Sequence, residues 1–261
     1  MALNLHYIEQ GTPRSDQLPL VILHGLLGSA DNWRSALKAF GRDRHVIALD
    51  LRNHGASPHA RDTRYTALAE DVVATLDAMN IQRFELIGHS MGGKSAMMLA
   101  QRYPHCVARL IVVDIAPVAY QHGHRQEFDA MQTVASTSIA SRQQADEIMQ
   151  RYIDDLPTRQ FLATNLKRDS TSGELGWRVG LNELIEGYAD IAAAPLAGGN
   201  AEVPTLLIRG RNSEYVTQQG VDALRELFPR LEVVTLDTGH WVHSQDFKAF
   251  KNTVDQFLVT K

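Results

Sequence analysis

Apolar residues along this chain fall into short, nearly unbroken runs, separated by stretches in which they recur every three or four positions. The runs lie at residues 18–24, 44–51, 83–88, 109–115, 204–210 and 231–237 and are rich in Val, Ile and Leu. Aliphatic residues at successive rather than alternate positions predict strands buried on both faces of a parallel sheet. Residues 3–10 alternate weakly and predict an edge strand. Helices are expected at 66–80, 91–103, 216–228 and 245–259. In the first of these, Leu68, Val72, Val73, Leu76 and Met79 share one face, and in the last Phe247, Phe250, Val254 and Phe257 do. Pro104 and Pro229 stand just beyond two of the helix ends. Strands alternating with helices imply an α/β fold with right-handed crossovers.

One block breaks the alternation. From Pro117 to Asn200 the pattern is helical throughout, at 124–135, 141–153, 156–168 and 175–193, with Ser141 and Gln144 spaced as a capping box. Residues 197–200 read as a loop. A helical block between two strands of one sheet predicts an insertion over the strand ends, where ligands of α/β sheets bind. The expected division is a core of residues 1–116 and 201–261, with a helical cap at 117–200.

Composition narrows the class without choosing a function. A chain of 261 residues buries about three quarters of its unfolded surface and folds without disulfides or metal. Its 44% apolar and 21% charged residues exclude a disordered chain. The 26 basic and 30 acidic residues leave a net charge of −4, which excludes the basic excess of nucleic-acid binders. Cys106 stands alone, so no intrachain disulfide forms. Residues 1–16 lack the pattern of a secretory signal, and no apolar run reaches the roughly 20 residues of a membrane span. The expectation is a cytoplasmic protein, monomer or homodimer, without stable membrane insertion.

The sharpest chemical signal is Gly88-His89-Ser90-Met91-Gly92-Gly93, which follows a predicted strand and opens a predicted helix. This is the nucleophile elbow, G-x-S-x-G, in the strand–turn–helix setting it requires. The sharp turn strains the serine backbone, and a side chain two residues away on either side would clash. The helix N-terminus then points at the reacting centre and favours negative charge there. The same stretch, read from Gly88 to Ser95, also satisfies G-x-x-x-x-G-K-[ST], a phosphate-binding loop, with residues 110–114 resembling its magnesium-holding strand. In that reading Lys94 touches phosphates and Ser95 ligates the metal.

Two distant features favour the first reading. His24-Gly25-Leu26-Leu27-Gly28-Ser29 follows the first buried strand. A Gly-rich turn there supplies an oxyanion donor, Leu26 N–H, to partner Met91 N–H. Thr238-Gly239-His240-Trp241 follows the last strand, where a histidine base reaches the same strand ends. The phosphate-loop reading explains neither feature. The nucleophile-elbow reading leaves Lys94 as a solvated first-turn residue and Ser95 as a packing residue.

With these motifs and the segments DLRNHGASP, VVDIAPV, RGRNSEYV and GHWVH, the chain resembles the α/β-hydrolase superfamily and, within it, the YbfF-type bacterial esterases. The resemblance covers nearly the whole chain. It implies an eight-stranded, mostly parallel sheet with helices on both faces and a helical cap, and a serine–histidine–acid mechanism without cofactor or metal. The acid departs from the usual superfamily position, which Ser213 occupies in the loop after residue 210. Esterases of the resembled type carry the same serine together with an aspartate at the end of the neighbouring strand. That aspartate is Asp114 here, reaching the histidine directly or with Ser213 bridging. Glu214 and Asp237 are the alternative acids.

The expected activity is a carboxylic ester hydrolase, an esterase or thioesterase acting on short-to-medium acyl chains. Ser90, His240 and Asp114 are its catalytic residues, Ser213 its support, Leu26 and Met91 its oxyanion donors, and Leu27 and Trp241 its acyl pocket. A C–C bond hydrolase or cofactor-free perhydrolase uses the same constellation, so fold alone does not choose. A non-catalytic receptor and a nucleotide-binding protein are the remaining classes. Among weaker signals, His24 is expected beneath the oxyanion turn, and Asp50 and Arg52 in a structural turn. Phe161 and Trp177 suit either pocket or cap core. His122-x-His124 and His240-x-x-His243 lack a third metal ligand nearby.

Overall fold

The computed structural model describes residues 2–121, 123–169, 173–199 and 201–259; His122 and Asn200, named above, lie outside them. Strands β1 (Tyr7–Gln10), β2 (Leu20–Leu23), β3 (Val46–Leu49), β4 (Phe84–His89), β5 (Val107–Val113), β8 (Thr205–Gly210) and β9 (Leu231–Leu236) form one sheet in the order β1-β3-β2-β4-β5-β8-β9. Only β1 runs antiparallel, against β3. β2, β4 and β5 lie at the centre, in a register that sets Gly88 beside Leu23 on one side and Val112 on the other.

The strand side chains divide between two apolar layers. Val21, Leu23, Leu86, Leu110, Val112 and Leu207 pack on the side of α2 (Tyr65–Ala78), α3 (Met91–Arg102) and α9 (Gln218–Leu227). Leu20, Ile22, Ile87, Ile111, Val113 and Ile208 pack on the side of α1 (Arg34–Phe40) and α11 (Phe247–Val259). Both faces are thus covered, the condition under which parallel strands read as continuous apolar runs. The four helices expected outside the insertion are present within about two residues. Two short ones, α1 and α10 (Val242–Gln245), were not anticipated. No helix among the described residues is long and apolar enough to cross a membrane.

Two expectations need correction. The described sheet has seven strands, not the eight implied by the resemblance. The segment before β1 spends its N–H groups on side chains: Leu3 on Asp71 at 2.6 Å, Leu5 on Thr75 at 2.9 Å and His6 on Ser57 at 2.8 Å. The segment between β5 and β8 is also not purely helical. It holds α4 (Arg125–Ala135), α5 (Arg142–Met149), α6 (Leu156–Ala163), α7 (Leu181–Glu186) and α8 (Tyr188–Ala192). It also holds an antiparallel pair, β6 (Leu166–Arg168) and β7 (Leu175–Trp177). At α5 the Ser141 hydroxyl accepts the Gln144 N–H, but the Gln144 side chain accepts from Ala140 rather than closing the box on Ser141.

The loop after β3 is fixed by a buried ion pair. Arg52 donates to both carboxylate oxygens of Asp71 on α2, at 2.7 and 2.8 Å, and Asp71 is fully buried. Asp50 in the same loop accepts from Ala30 N–H and Ala56 N–H, so both residues are structural, as expected. Removing one partner of such a pair strands the other charge. Asp71→Ala is expected to lose about 3–5 kcal/mol of stability, read from the urea unfolding midpoint; a loss below about 1 kcal/mol would contradict this reading.

Candidate active site

Ser90 is the residue at which the chain leaves β4 and enters α3, with φ 54° and ψ −121°. Two hydrogen bonds hold this turn: Ser90 N–H donates to Val113 O at 3.0 Å, and Lys94 N–H donates to Ser90 O at 3.1 Å. The flanking glycines are steric requirements. A Cβ on Gly88 would lie 2.3 Å from Gly92 O, and one on Gly92 2.4 Å from His24 O. Ser90 makes no side-chain bond to its own helix. It lines a cavity of about 580 Å³ together with His240, Leu26, Leu27, Trp241, Phe161 and Tyr215.

His240 stands on the loop after β9, and its Nδ1 lies 2.8 Å from Asp114 Oδ2. Asp114 follows β5 directly, is fully buried and has φ 48°. Gly210 N–H donates to its Oδ1 at 2.8 Å, and the Ser213 hydroxyl donates to the Oδ2 that faces His240. Ser213 therefore does not intervene between acid and histidine; it binds the same carboxylate from the other side. Glu214 and Asp237 are exposed, and Asp237 pairs with Arg211 instead. The imidazole of His240 stacks on the Tyr215 ring at 4.0 Å, and His89 donates from Nε2 to the His240 carbonyl at 2.9 Å. Tyr215 lies two residues past Ser213, yet no feature of the chain announces this stacking.

The turn after β2 faces the same cavity. Gly25 O accepts from Gly28 N–H at 3.0 Å and from His24 Nδ1 at 2.8 Å. The peptide is trans, so with its carbonyl held into the turn the Leu26 N–H points the opposite way. Leu27 N–H is committed to His54 Nε2 at 3.0 Å. His24 does lie beneath the turn, accepting Leu51 N–H on Nε2. Across the cavity, Trp241 and Phe161 rings are 5.6 Å apart. Trp177 belongs to the insertion's own packing, where its indole donates to Met131 O at 2.8 Å.

Burial sets the charge of the surrounding side chains. It pulls the pKa of His54 and His243 down to about 3 and that of His89 well below the usual value. The His243 ring stacks on Trp33 at 4.1 Å. Lys94 is not the solvated residue that the sequence implied: only 2% of it is exposed, and burial brings its pKa to about 7. Its Nζ donates to Ala192 O and Ala193 O at the end of α8, 4.6 Å from the Tyr120 ring centre. It is thus turned away from the loop that a phosphate would occupy. Ser95 is buried and bonds Met91 O, as a packing residue does. Among the described residues, no group of three or more His, Cys, Asp or Glu side chains is arranged to hold a metal ion.

This sheet order, a strained serine at the end of a central strand and a histidine–aspartate pair at the neighbouring strand ends together define an α/β hydrolase. Comparison with known proteins agrees. Residues 19–247 match the model of the α/β hydrolase fold family. The sn-1-specific diacylglycerol lipase ABHD11 of Mus musculus is 38% identical over 92% of this chain and 80% of its own length. Esterase YbfF of Escherichia coli (strain K12) is 36% identical over 92% of each chain. A solved marine microorganism esterase superposes with a TM-score of 0.91 at 33% identity, covering 98% of this chain and 100% of its own. The chain belongs to the α/β-hydrolase family, and these relatives are named for ester hydrolysis.

The neutral histidines make stability depend on pH in a stated direction. Between about 6.5 and 3 the unfolded chain takes up protons that folded His54 and His243 refuse. Their contribution is therefore complete above about pH 6.5 and is lost as pH falls toward 3, each at about 1.4 kcal/mol per pH unit. The thermal midpoint is expected to fall steeply below pH 6, and less steeply in His243→Phe. Parallel curves for the two proteins would contradict the assignment.

Proposed function

We propose that this protein is a carboxylic ester hydrolase in which Ser90 is the nucleophile, His240 the general base and Asp114 the acid that orients it. The observation that carries this reading is the 2.8 Å bond between His240 Nδ1 and buried Asp114, with His240 and Ser90 lining the same cavity. Ser90 Oγ attacks the acyl carbon, and its proton passes to His240 Nε2. The carbonyl oxygen becomes an oxyanion, held by Leu26 N–H and Met91 N–H. The second of these carries the added field of the α3 N-terminus. The tetrahedral intermediate collapses as His240 gives its proton to the departing alkoxide or thiolate. Water, deprotonated by His240, then attacks the acyl-enzyme, and Ser90 recovers its proton.

Asp114 keeps the proton of neutral His240 on Nδ1 and stabilises the imidazolium that forms. The Ser213 hydroxyl and Gly210 N–H fix its carboxylate, so Ser213 supports the acid and does not replace it. Residues 117–200 are read as a cap over the strand ends, supplying Phe161 to a pocket also lined by Leu27 and Trp241. The apolar part of the lining, Leu26, Leu27, Phe161, Leu162 and Trp241, suits short-to-medium acyl chains and accommodates oxygen esters and thioesters alike. The relatives' names for esterases and lipases favour this reading over a C–C bond hydrolase.

A fluorophosphonate probe is expected to label the wild type and not Ser90→Ala; labelling of the variant would assign the nucleophile elsewhere. Asp114→Asn is expected to lower kcat about 10³–10⁴-fold while Glu214→Gln retains activity. The reverse pattern would move the acid to Glu214. Across p-nitrophenyl esters of increasing acyl length, kcat/KM is expected to peak at short to medium chains. Activity confined to polar or aromatic diketones would overturn the substrate class.

A further inference from the structure

The oxyanion turn is held from two directions, and one of them is the insertion. Gly28 N–H bonds back to Gly25 O, and the third residue of that four-residue turn, Leu27, has φ 59° while Leu26 has none of this strain. This is a type II turn with leucine at the position that favours glycine or asparagine. Something must hold it. On the peptide before Leu27, the N–H donates to His54 Nε2 at 3.0 Å. His54 is itself fixed, since its Nδ1 donates to Arg52 O at 2.9 Å, which leaves Nε2 as an acceptor. On the peptide after Leu27, the carbonyl accepts from Asn165 Nδ2 at 2.7 Å, across 138 residues of sequence. Asn165 and Leu27 are each 1% exposed, so no water substitutes for either group.

Asn165 stands between α6 and β6, and beside it the residues after the returning strand, β7, also touch the core. Arg178 N–H donates to Asn165 O at 2.9 Å, and Gly180 N–H donates to Asn53 O at 2.8 Å, in the residue next to His54. The Arg178 guanidinium reaches Asp31, just past the turn, at 3.2 Å. The hairpin therefore grips both the oxyanion turn and the loop that carries its other support.

We propose that Asn165 is a positioning residue for ester hydrolysis: its amide fixes the Leu27–Gly28 peptide, whose N–H holds Gly25 O and so aims the Leu26 N–H of the Gly25–Leu26 peptide at the reacting oxygen, and the oxyanion site is complete only while the insertion is seated. The inference rests on the reading of Leu26 and Met91 as oxyanion donors. Without the Asn165 bond the Leu27–Gly28 peptide is free to turn, Gly28 N–H loosens from Gly25 O, and the Gly25–Leu26 peptide that carries the donor loses one of its two anchors. Binding of the acyl chain against Phe161 and Trp241 does not need this bond. Stabilisation of the tetrahedral intermediate does.

The test uses the full chain. Asn165→Asp keeps the shape but sets a carboxylate oxygen against the Leu27 carbonyl, and Asn165→Ser removes the reach; the second variant serves if the first does not fold. Active sites are counted by fluorophosphonate titration. Per titrated site, kcat for p-nitrophenyl butyrate is expected to fall about 10–100-fold, up to the lower end of the roughly 10²–10³-fold cost of losing one oxyanion donor outright, with KM within about twofold. Affinity for butylboronic acid, which mimics the tetrahedral intermediate, is expected to fall by the same factor. A merely structural asparagine lowers the thermal midpoint but leaves kcat per titrated site and boronate affinity at wild-type values, and that result would overturn the proposal. A wild type that is neither labelled nor active would instead overturn the hydrolase reading itself, and this inference with it.

Discussion

Ser90, Asp114 and Leu27 all have positive φ, and all three lie at or just beyond the ends of central parallel strands. A left-handed conformation costs an L residue about 1–2 kcal/mol, so it persists only where the surroundings enforce it. At Ser90 the enforcement is the bond to Val113 O and the close approach of Gly88 to Gly92. At Asp114 it is the bond from its own N–H to Ile208 O, reinforced by Gly210 N–H on the carboxylate. At Leu27 it is the pair of bonds to His54 and Asn165. The register of β2, β4 and β5 sets the heights at which these turns occur, so one sheet delivers them all to one cavity. The chemistry proposed here depends on that shared constraint more than on any single side chain.

Around the turns the structure keeps ionisable groups neutral. His24, His54, His89 and His243 all have depressed pKa values from burial, and they serve as hydrogen-bonding and stacking parts rather than as charges. His240 is different in kind: it is half-buried, borders the cavity and has a carboxylate behind it. A field of neutral imidazoles with one paired to an aspartate directs proton transfer to that one. Lys94 performs a related service at the other end of α3's first turn. Among the described residues no carboxylate pairs with it, and it instead ties the end of α8 to the helix that begins at the nucleophile.

The sheet was legible in the sequence because strands covered on both faces must be apolar at every position, and short aliphatic runs mark them. Ser90 was legible because glycines at 88 and 92 answer a steric demand that few other turns impose. His240 and Asp114 needed the resemblance as well, since the two are 126 residues apart and only strand order brings them together. The hairpin of β6 and β7 was read as helix. Lys167, Arg168 and Gly176 carry no alternating pattern, and what fixes the strands is remote, such as the bond from Trp177 to Met131 O. Lys94 was misread for a similar reason. Its position in a first turn suggests solvent, whereas its partners arrive from nearly a hundred residues away. The eighth strand came from the resemblance alone, and the N-terminal segment of this chain spends its hydrogen bonds elsewhere.

The central claim is geometric, so its most direct test is the crystal structure of the protein inhibited by a short alkyl phosphonate. The account predicts phosphorus bonded to Ser90 Oγ, with one phosphonate oxygen 2.7–3.1 Å from both Leu26 N and Met91 N. It also predicts His240 bridging between the adduct and Asp114. An adduct on another residue would contradict the account. So would a Ser90 adduct whose oxygens point away from both backbone donors.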